Sequence, residues 1–384
     1  MRHIKLFILL VGSVFLLTGC WDRTEINDMA FVVATGVDKG PNNDYRVSVE
    51  VPLPSSMGGA GSSGGGGGTS GKEPFYVAQG TGGNTRMGLE DIQLRLSRQL
   101  YFGHRRVTIF GEDMAKLGIT EILNAVFIQP QSRISTLILV SKGDAVNLLK
   151  TQPRMERYSG EAMREMAKTG LNMTVMDALE DLDRPGKDMI IPVVEPTGTL
   201  KRDPKGTEII MQNFALFKGD KLAFMTNLKE SLGILWLEKK MKRKSMPFSV
   251  EKDKQISVRI VDNNVKTRVR IVNGNPVFTL AIKATGILLE NEPNLRLEDP
   301  ETYHFTLSKM EKEIKNQIQT LLTHAHNEGS DVFGFGWYLY RNHHQEWEDN
   351  WGKNWEQHLK DLKVNVTVDA DIQRSTNSGL IEKD

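Results

Sequence analysis

The chain has 384 residues, 39% of them hydrophobic and 25% charged, with 49 basic against 48 acidic side chains. That balance excludes a global field able to hold nucleic acid or anionic lipid, and the ordinary hydrophobic fraction excludes a disordered chain. The length allows two or three domains, and a single cysteine excludes a disulfide framework, so apolar cores must supply the stability.

Residues 1–21 read MRHIKLFILLVGSVFLLTGCW. Arg2, His3 and Lys5 form a basic lead. Leu6 to Leu17 is an apolar run too short to span a bilayer, and Leu17-Thr18-Gly19-Cys20 closes the segment. This is the three-part layout of an export signal. Its closing tetrad resembles a bacterial lipobox, in which the thiol receives a diacylglyceryl group and the chain is cut just before it. The expected mature chain starts at Cys20, an N-palmitoyl and S-diacylglycerol cysteine, tethered to the outer face of a cytoplasmic membrane. An exported chain that keeps one free thiol is the alternative. No later segment reaches the roughly eighteen apolar residues of a spanning helix.

Downstream, Ser55 to Gly71 reads SSMGGAGSSGGGGGTSG, too poor in apolar side chains to fold by itself. Strand candidates flank it at Tyr45–Leu53 and Pro74–Gln79, so it reads as a flexible insertion within one sheet. Thr85 is placed to cap a helix with Leu89, Ile92, Leu96 and Leu100 at helical spacing. Arg106–Phe110 reads as a strand, and Glu112–Ile128 as one or two helices stopped by Pro130. Ser135–Val140 is apolar throughout, the pattern of a strand covered on both faces. Helices follow near Ser159–Lys168 and Val175–Leu182, then an extended Met189–Thr197. The polar turn Lys201–Gly206 suggests a boundary between an N-terminal domain, 20–202, and a C-terminal domain, 203–384, with a further division near residue 250 left open.

Beyond that turn, Ile210–Phe217 and Lys221–Met225 form a hairpin around Lys218-Gly219-Asp220. Asn227 and Glu230 make a capping-box start for a helix through Trp236, followed by the basic run Lys239–Lys244. That run reads as a solvated helix end, with a nucleic-acid or phospholipid contact as the other option. Gln255–Val272 and Val277–Leu289 are long strands joined by Asn273-Gly274-Asn275-Pro276. Asp299-Pro300 opens a long helix whose stripe is Tyr303, Leu307, Met310, Ile314, Ile318, Leu321 and Ala325. In the last strand Val364, Val366, Val368, Ala370 and Ile372 alternate with polar residues, which suits an antiparallel sheet under that helix. The expected class is α+β: two or three mixed α/β domains whose central, largely antiparallel sheets are flanked by helices.

Catalytic motifs are not found. Gly61-Ser62-Ser63-Gly64-Gly65 has the letters of a nucleophile elbow, but it lies in a Gly tract and not on a rigid strand-to-helix turn. There is no Walker loop and no dinucleotide fingerprint after a strand. His324 and His326, two residues apart, point to different faces of a helix and cannot share an ion. His343, His344, Glu346 and His358 could form a surface metal site, but solvated histidines near a helix start are the expectation. The reading is a non-enzyme with no cofactor and no metal. Trp347, Trp351 and Trp355 recur every four residues, a row on one helix face. Such a row can stack on a sugar, pack as core, or meet a partner subunit; core or partner contact is the expectation.

Several segments together resemble the C subunits of nutrient germinant receptors, the Ger(x)C family lipoproteins of endospore-forming bacteria. They are Gly19-Cys20-Trp21-Asp22-Arg23-Thr24-Glu25-Ile26-Asn27-Asp28, Val33-Ala34-Thr35-Gly36-Val37-Asp38, Ser97-Arg98-Gln99-Leu100-Tyr101-Phe102-Gly103-His104 and Asp331-Val332-Phe333-Gly334-Phe335-Gly336. The Gly tract is the visible departure from the family pattern. The resemblance implies mixed α/β domains and a non-enzymatic lipoprotein in the inner membrane of the spore, beside integral membrane A and B subunits. It implies a role in nutrient-triggered germination, with no direct small-molecule binding by this subunit. A solute-binding lipoprotein of an ABC-type importer is the competing reading. It shares the lipobox but needs two similar lobes around a cleft.

Overall fold

A computed structural model describes residues 25–53, 74–198, 208–251 and 254–373. Cys20 with its leader, the Gly tract 55–71 and the turn 201–206 lie outside the described residues. In chain order the elements begin with β1 (Met29–Phe31), β2 (Ala34–Lys39), β3 (Tyr45–Pro52), β4 (Phe75–Gly82), α1 (Thr85–Gln93), β5 (Gln99–Tyr101) and β6 (Val107–Gly111). Next come α2 (Glu112–Leu117), α3 (Thr120–Ile128), β7 (Leu137–Ser141), α4 (Ala145–Leu149), α5 (Ser159–Thr169), α6 (Val175–Asp183) and β8 (Ile190–Thr197). The rest are β9 (Glu208–Lys218), β10 (Lys221–Met225), α7 (Leu228–Leu237), β11 (Ser245–Glu251), β12 (Lys254–Val272), β13 (Asn275–Asn291), α8 (Pro300–Asn327), α9 (Phe335–Asn342), α10 (His344–Glu346), α11 (Trp355–Lys360) and β14 (Lys363–Gln373).

Hydrophobic pattern decides which strands take the middle. β6 and β7 are buried at every position, so they need cover on both faces. They sit centrally in an eight-stranded sheet of order β10-β9-β8-β7-β6-β2-β3-β4. Neighbouring residues serve opposite faces: Phe110 and Val140 pack with α2, α3 and α6, whereas Ile109 and Leu139 pack with α4 and α5. The centre of this sheet, β2, β6, β7 and β8, is parallel, and its flanks are antiparallel. The expectation of a largely antiparallel sheet holds only at those flanks, because the helical connections here are crossovers that return each chain to the same end.

β3 and β4 are direct partners, with Pro52 opposite Phe75, so the Gly tract interrupts a hairpin. The hairpin β9–β10, which follows the expected boundary, also belongs to the eight-stranded sheet through β8. The break in composition is therefore not a break in the sheet.

A second sheet, β11-β12-β13-β14, lies under α8. Met310, Ile314, Ile318, Leu321 and Ala325 of α8 are buried against Phe278, Leu280 and Ile282 of β13. The same cluster takes in Ile190, Phe214 and Leu216 of the first sheet, so the two sheets share one apolar core. β14 alternates as expected, but it pairs parallel to β13. The long connection through α8 makes this possible, since parallel neighbours need a crossover of at least about a dozen residues.

Local expectations are corrected at two further points. The cap of α1 is Asn84, whose side chain accepts from the Met87 N–H, and Thr85 is the first helical residue. The helix ends at Gln93 because that side chain is tied to the chain beyond: it donates to the Arg98 carbonyl and accepts from the Leu100 N–H. Leu96 and Leu100 are off the helix yet pack in the same cluster as Ile92. Truncation of Ile314, fully buried in the shared core, is expected to lower the unfolding free energy of the chain by about 2–5 kcal/mol. Urea denaturation of Ile314→Ala checks this, and a change below about 1 kcal/mol would mean that α8 is not packed as described.

Candidate functional site

The family-like segment Asp331–Gly336 builds the junction between the two sheets. Asp331 is 2% exposed, and its carboxylate accepts from the Phe335 N–H at 3.0 Å, the Gly336 N–H at 2.8 Å and Trp355 Nε1 at 2.9 Å. Its backbone binds the loop before β8. The Asp331 N–H donates to Asp188 Oδ2 at 2.7 Å, and the Asp188 N–H donates to the Asp331 carbonyl at 2.9 Å. The other oxygen of Asp188 accepts from the Gly219 N–H at 2.7 Å, which brings the β9–β10 turn into the same network. Lys187 Nζ donates to the Val332 carbonyl, and the Trp337 N–H donates to the Gly186 carbonyl at 3.1 Å.

Two glycines permit the approach. A Cβ on Gly336 would stand 2.7 Å from the Gly186 Cα and 2.8 Å from the Trp347 ring, and Gly186 itself has φ +65°. Nothing larger fits between these backbones. Burial raises the Asp331 carboxyl to about 6 against its three donors and the Lys187 charge, and it raises Asp188 as well.

The tryptophan row ends in this junction. Trp347, Trp351 and Trp355 are all buried in the shared core. They do not line one regular helix face, because Trp347–Trp351 forms a π turn and Gly352–Asn354 a 3-10 turn. Trp347 meets Trp355 at 5.2 Å between rings, and Trp351 Nε1 donates to the Gly274 carbonyl at 3.2 Å. The rings of all three, and the indole N–H groups of Trp351 and Trp355, are thus engaged within the chain.

Buried polar supports recur in the first sheet, at Asp38, which closes one family-like segment, and at Glu50 and Arg105, which lie outside those segments. Asp38 accepts from the Ala145 N–H at 2.6 Å and the Val146 N–H at 3.1 Å at the start of α4. Glu50 accepts from the Ser159 N–H at 3.0 Å, Ser159 Oγ at 2.9 Å and the Gly160 N–H at 2.9 Å at the start of α5. Helix starts offer unpaired N–H groups and favour negative charge. Even so, burial pushes Glu50 up to about 7. Arg105 is buried under Phe102, its ring 5.4 Å away, and donates to Ser132 Oγ; burial lowers it to about 10.

The histidines divide as their spacing requires. His324 stacks on Phe224 at 3.7 Å and bonds Glu230 at 2.8 Å beside an open groove of about 520 Å³, lined also by Gln319, Thr320, Thr323 and Asn327. His326 is buried on the other side and burial lowers it to about 4. His343 lies 3.9 Å from Glu346, and His344 packs edge-on to Tyr340. Among the described residues no group of three or more His, Cys, Asp or Glu could hold a metal ion. None of the described helices is long and apolar enough to cross a membrane.

What fold and junction define is an α/β protein in which an eight-stranded and a four-stranded sheet meet, beside the short parallel pair β1–β5. Residues 22–196 match the family described as spore germination protein N-terminal domain, and residues 212–376 match spore germination B3/GerAC like, C-terminal. The chain belongs to this spore germination family. It is 30% identical to the putative spore germination protein YfkR of Bacillus subtilis (strain 168), covering 94% of this chain and 93% of that one. It is 25% identical to the spore germination protein KC of the same organism, covering 97% and 96%. The fold is shared with the crystal structure of the GerBC protein at TM-score 0.57 and 17% identity, covering 88% of this chain and 96% of that one.

Two outcomes follow from the buried carboxylates. Asp331→Ala leaves three buried donors without an acceptor, and unfolding free energy is expected to fall by about 3–5 kcal/mol in urea titrations. Trp355→Phe, which removes one donor, is expected to cost less. Glu50 has a folded value above its unfolded one, so the folded state holds the extra proton. Its contribution is fully present below about pH 4.5 and is lost as pH rises through about 7. Wild type is therefore expected to lose up to about 3 kcal/mol relative to Glu50→Gln between pH 4.5 and 8. Parallel pH profiles of the two would contradict this.

Proposed function

We propose that this chain is the lipid-anchored C subunit of a nutrient germinant receptor, held on the outer face of the spore inner membrane by acylated Cys20 and assembled there with integral membrane A and B subunits. The observation that carries this reading is the continuous family match over 22–196 and 212–376, with the lipobox directly ahead of it. Membership of a spore germination family supports the role, and the sequence Leu17-Thr18-Gly19-Cys20 supports the anchor. Two acyl chains give stable retention where one is marginal, at about 0.8 kcal/mol per buried methylene. Tethering also raises the effective concentration of the folded body near membrane partners, so a modest interface suffices for assembly. Neither step needs a catalytic group.

The importer-type reading gains nothing from the groove at His324, which is open and shallow where a solute-binding cleft must enclose its ligand. Cys20→Ala, expressed as the full chain in spores, is expected to retain the fold but leave the membrane fraction, with slowed nutrient germination. Normal membrane retention of the variant would contradict the anchor. Release from the membrane with normal germination would contradict the need for it.

A further inference from the structure

The hairpin β12–β13 turns at Asn273-Gly274, with φ +50° and +78°. It presents one face to α8, and the residues of its other face are exposed or half-exposed among the described residues. Between Asp262 and the turn the register is regular, so alternate residues share a face. Phe278, Leu280, Ile282 and Ala284 are buried on the inner face. On the outer face Lys266, Arg268 and Arg270 stand opposite Ala281, Thr279 and Val277, which in turn stand beside Thr367, Asn365 and Lys363 of β14. All four cations are exposed, and no described carboxylate occupies these three rows.

Farther from the turn the same face carries Asp369 beside Lys283, then Asp262 and Asp371, so carboxylates enter only beyond the three cationic rows. At the cationic end the turn exposes Ile271 (37%) and Val272 (49%). The tip is held in place by Trp351, whose Nε1 donates to the Gly274 carbonyl.

Cations along an edge strand also discourage edge-to-edge pairing, and the β11 side of β12 has no strand partner past Arg259 among the described residues. That role covers Lys363 too, since β14 is the other edge strand, but it does not account for aliphatic side chains exposed at the tip. Aliphatics at an extremity with cations one step behind them fit an interface: the apolar tip enters the acyl boundary and the cations meet phosphates. An acidic protein surface would pair with the cations and leave the tip unused.

We propose that the tip and outer face of the β12–β13 hairpin dock on the anionic phospholipid surface of the bilayer that carries the anchor, a local contact that the near-neutral net charge conceals. This rests on the anchor reading, because Glu25 lies five residues past Cys20 and so within at most about 18 Å of it. A body held that close meets the bilayer in every orientation it samples, and the hairpin selects one.

The test uses the acylated full chain with Val272→Cys, labelled with an environment-sensitive fluorophore; the acylated Cys20 sulfur does not react. The protein is bound to vesicles of phosphatidylcholine alone or mixed with phosphatidylglycerol, each with a lipid-borne quencher. Flotation on both is expected from the tether. Quenching is expected only on the anionic vesicles, and it should fade in high salt. Each cation near such a surface is worth about fivefold. Combined Lys266→Glu, Arg268→Glu and Arg270→Glu should therefore lower the docked-to-undocked ratio by roughly a hundredfold or more, with circular dichroism unchanged. Equal quenching on neutral and anionic vesicles, no quenching on either, or an unaffected triple variant would overturn the proposal. Flotation on anionic vesicles alone would keep the hairpin surface and remove the tether, and flotation on neither would overturn both.

Discussion

Two aspartates hold the two larger sheets together: Asp331 organises its own segment, and Asp188 bridges to that segment's backbone. Asp331 accepts three hydrogen bonds from its own half of the chain, while its backbone exchanges two with Asp188 ahead of β8. Burying a charge costs several kcal/mol unless its lone pairs are satisfied, so this site is stable only when every partner is in place. The glycines at 186 and 336 set the approach, and Trp347 and Trp355 close over it. The shared apolar core explains why the sheets associate, and the Asp331 network explains why they do so in one arrangement.

The same device recurs in the first sheet. Asp38 and Glu50 each place a carboxylate on the first turn of a helix, fixing α4 and α5 against β2 and β3. Close packing follows from them. A Cβ on Gly111 would stand 2.1 Å from Asp38, and one on Gly160 would stand 2.6 Å from Glu50. Of the family-like segments, those ending at Asp38 and starting at Asp331 thus contribute buried carboxylates.

Much of the fold was legible in the sequence where a local signal exists. The capping box of Asn227 and Glu230, the Asp299-Pro300 start, the Asn273-Gly274 turn and the doubly covered strand β7 all stand where their chemistry puts them. Errors came where distant contacts decide. Asn84 outcompetes Thr85 as a cap, and Gln93 ends α1 through side-chain bonds that spacing does not reveal. Alternation in β14 shows which face is buried but is silent on strand direction. The tryptophan row was visible as a row, yet its π turn depends on packing around Trp347 and Trp355. Asp331 was quoted only as part of a family-like segment, because nothing next to it in the chain signals a partner 143 residues away. Cys20 is the opposite case, readable only from its sequence context.

Native-state amide hydrogen exchange tests the Asp331 junction most directly. If the Asp331–Asp188 junction unites the two larger sheets, the amides of Phe335, Gly336, Asp331 and Gly219 open only with global unfolding, and their protection matches that of Leu139 and Val140 in β7. Exchange of these four amides at rates well above those of β7, with the sheets otherwise protected, would contradict it.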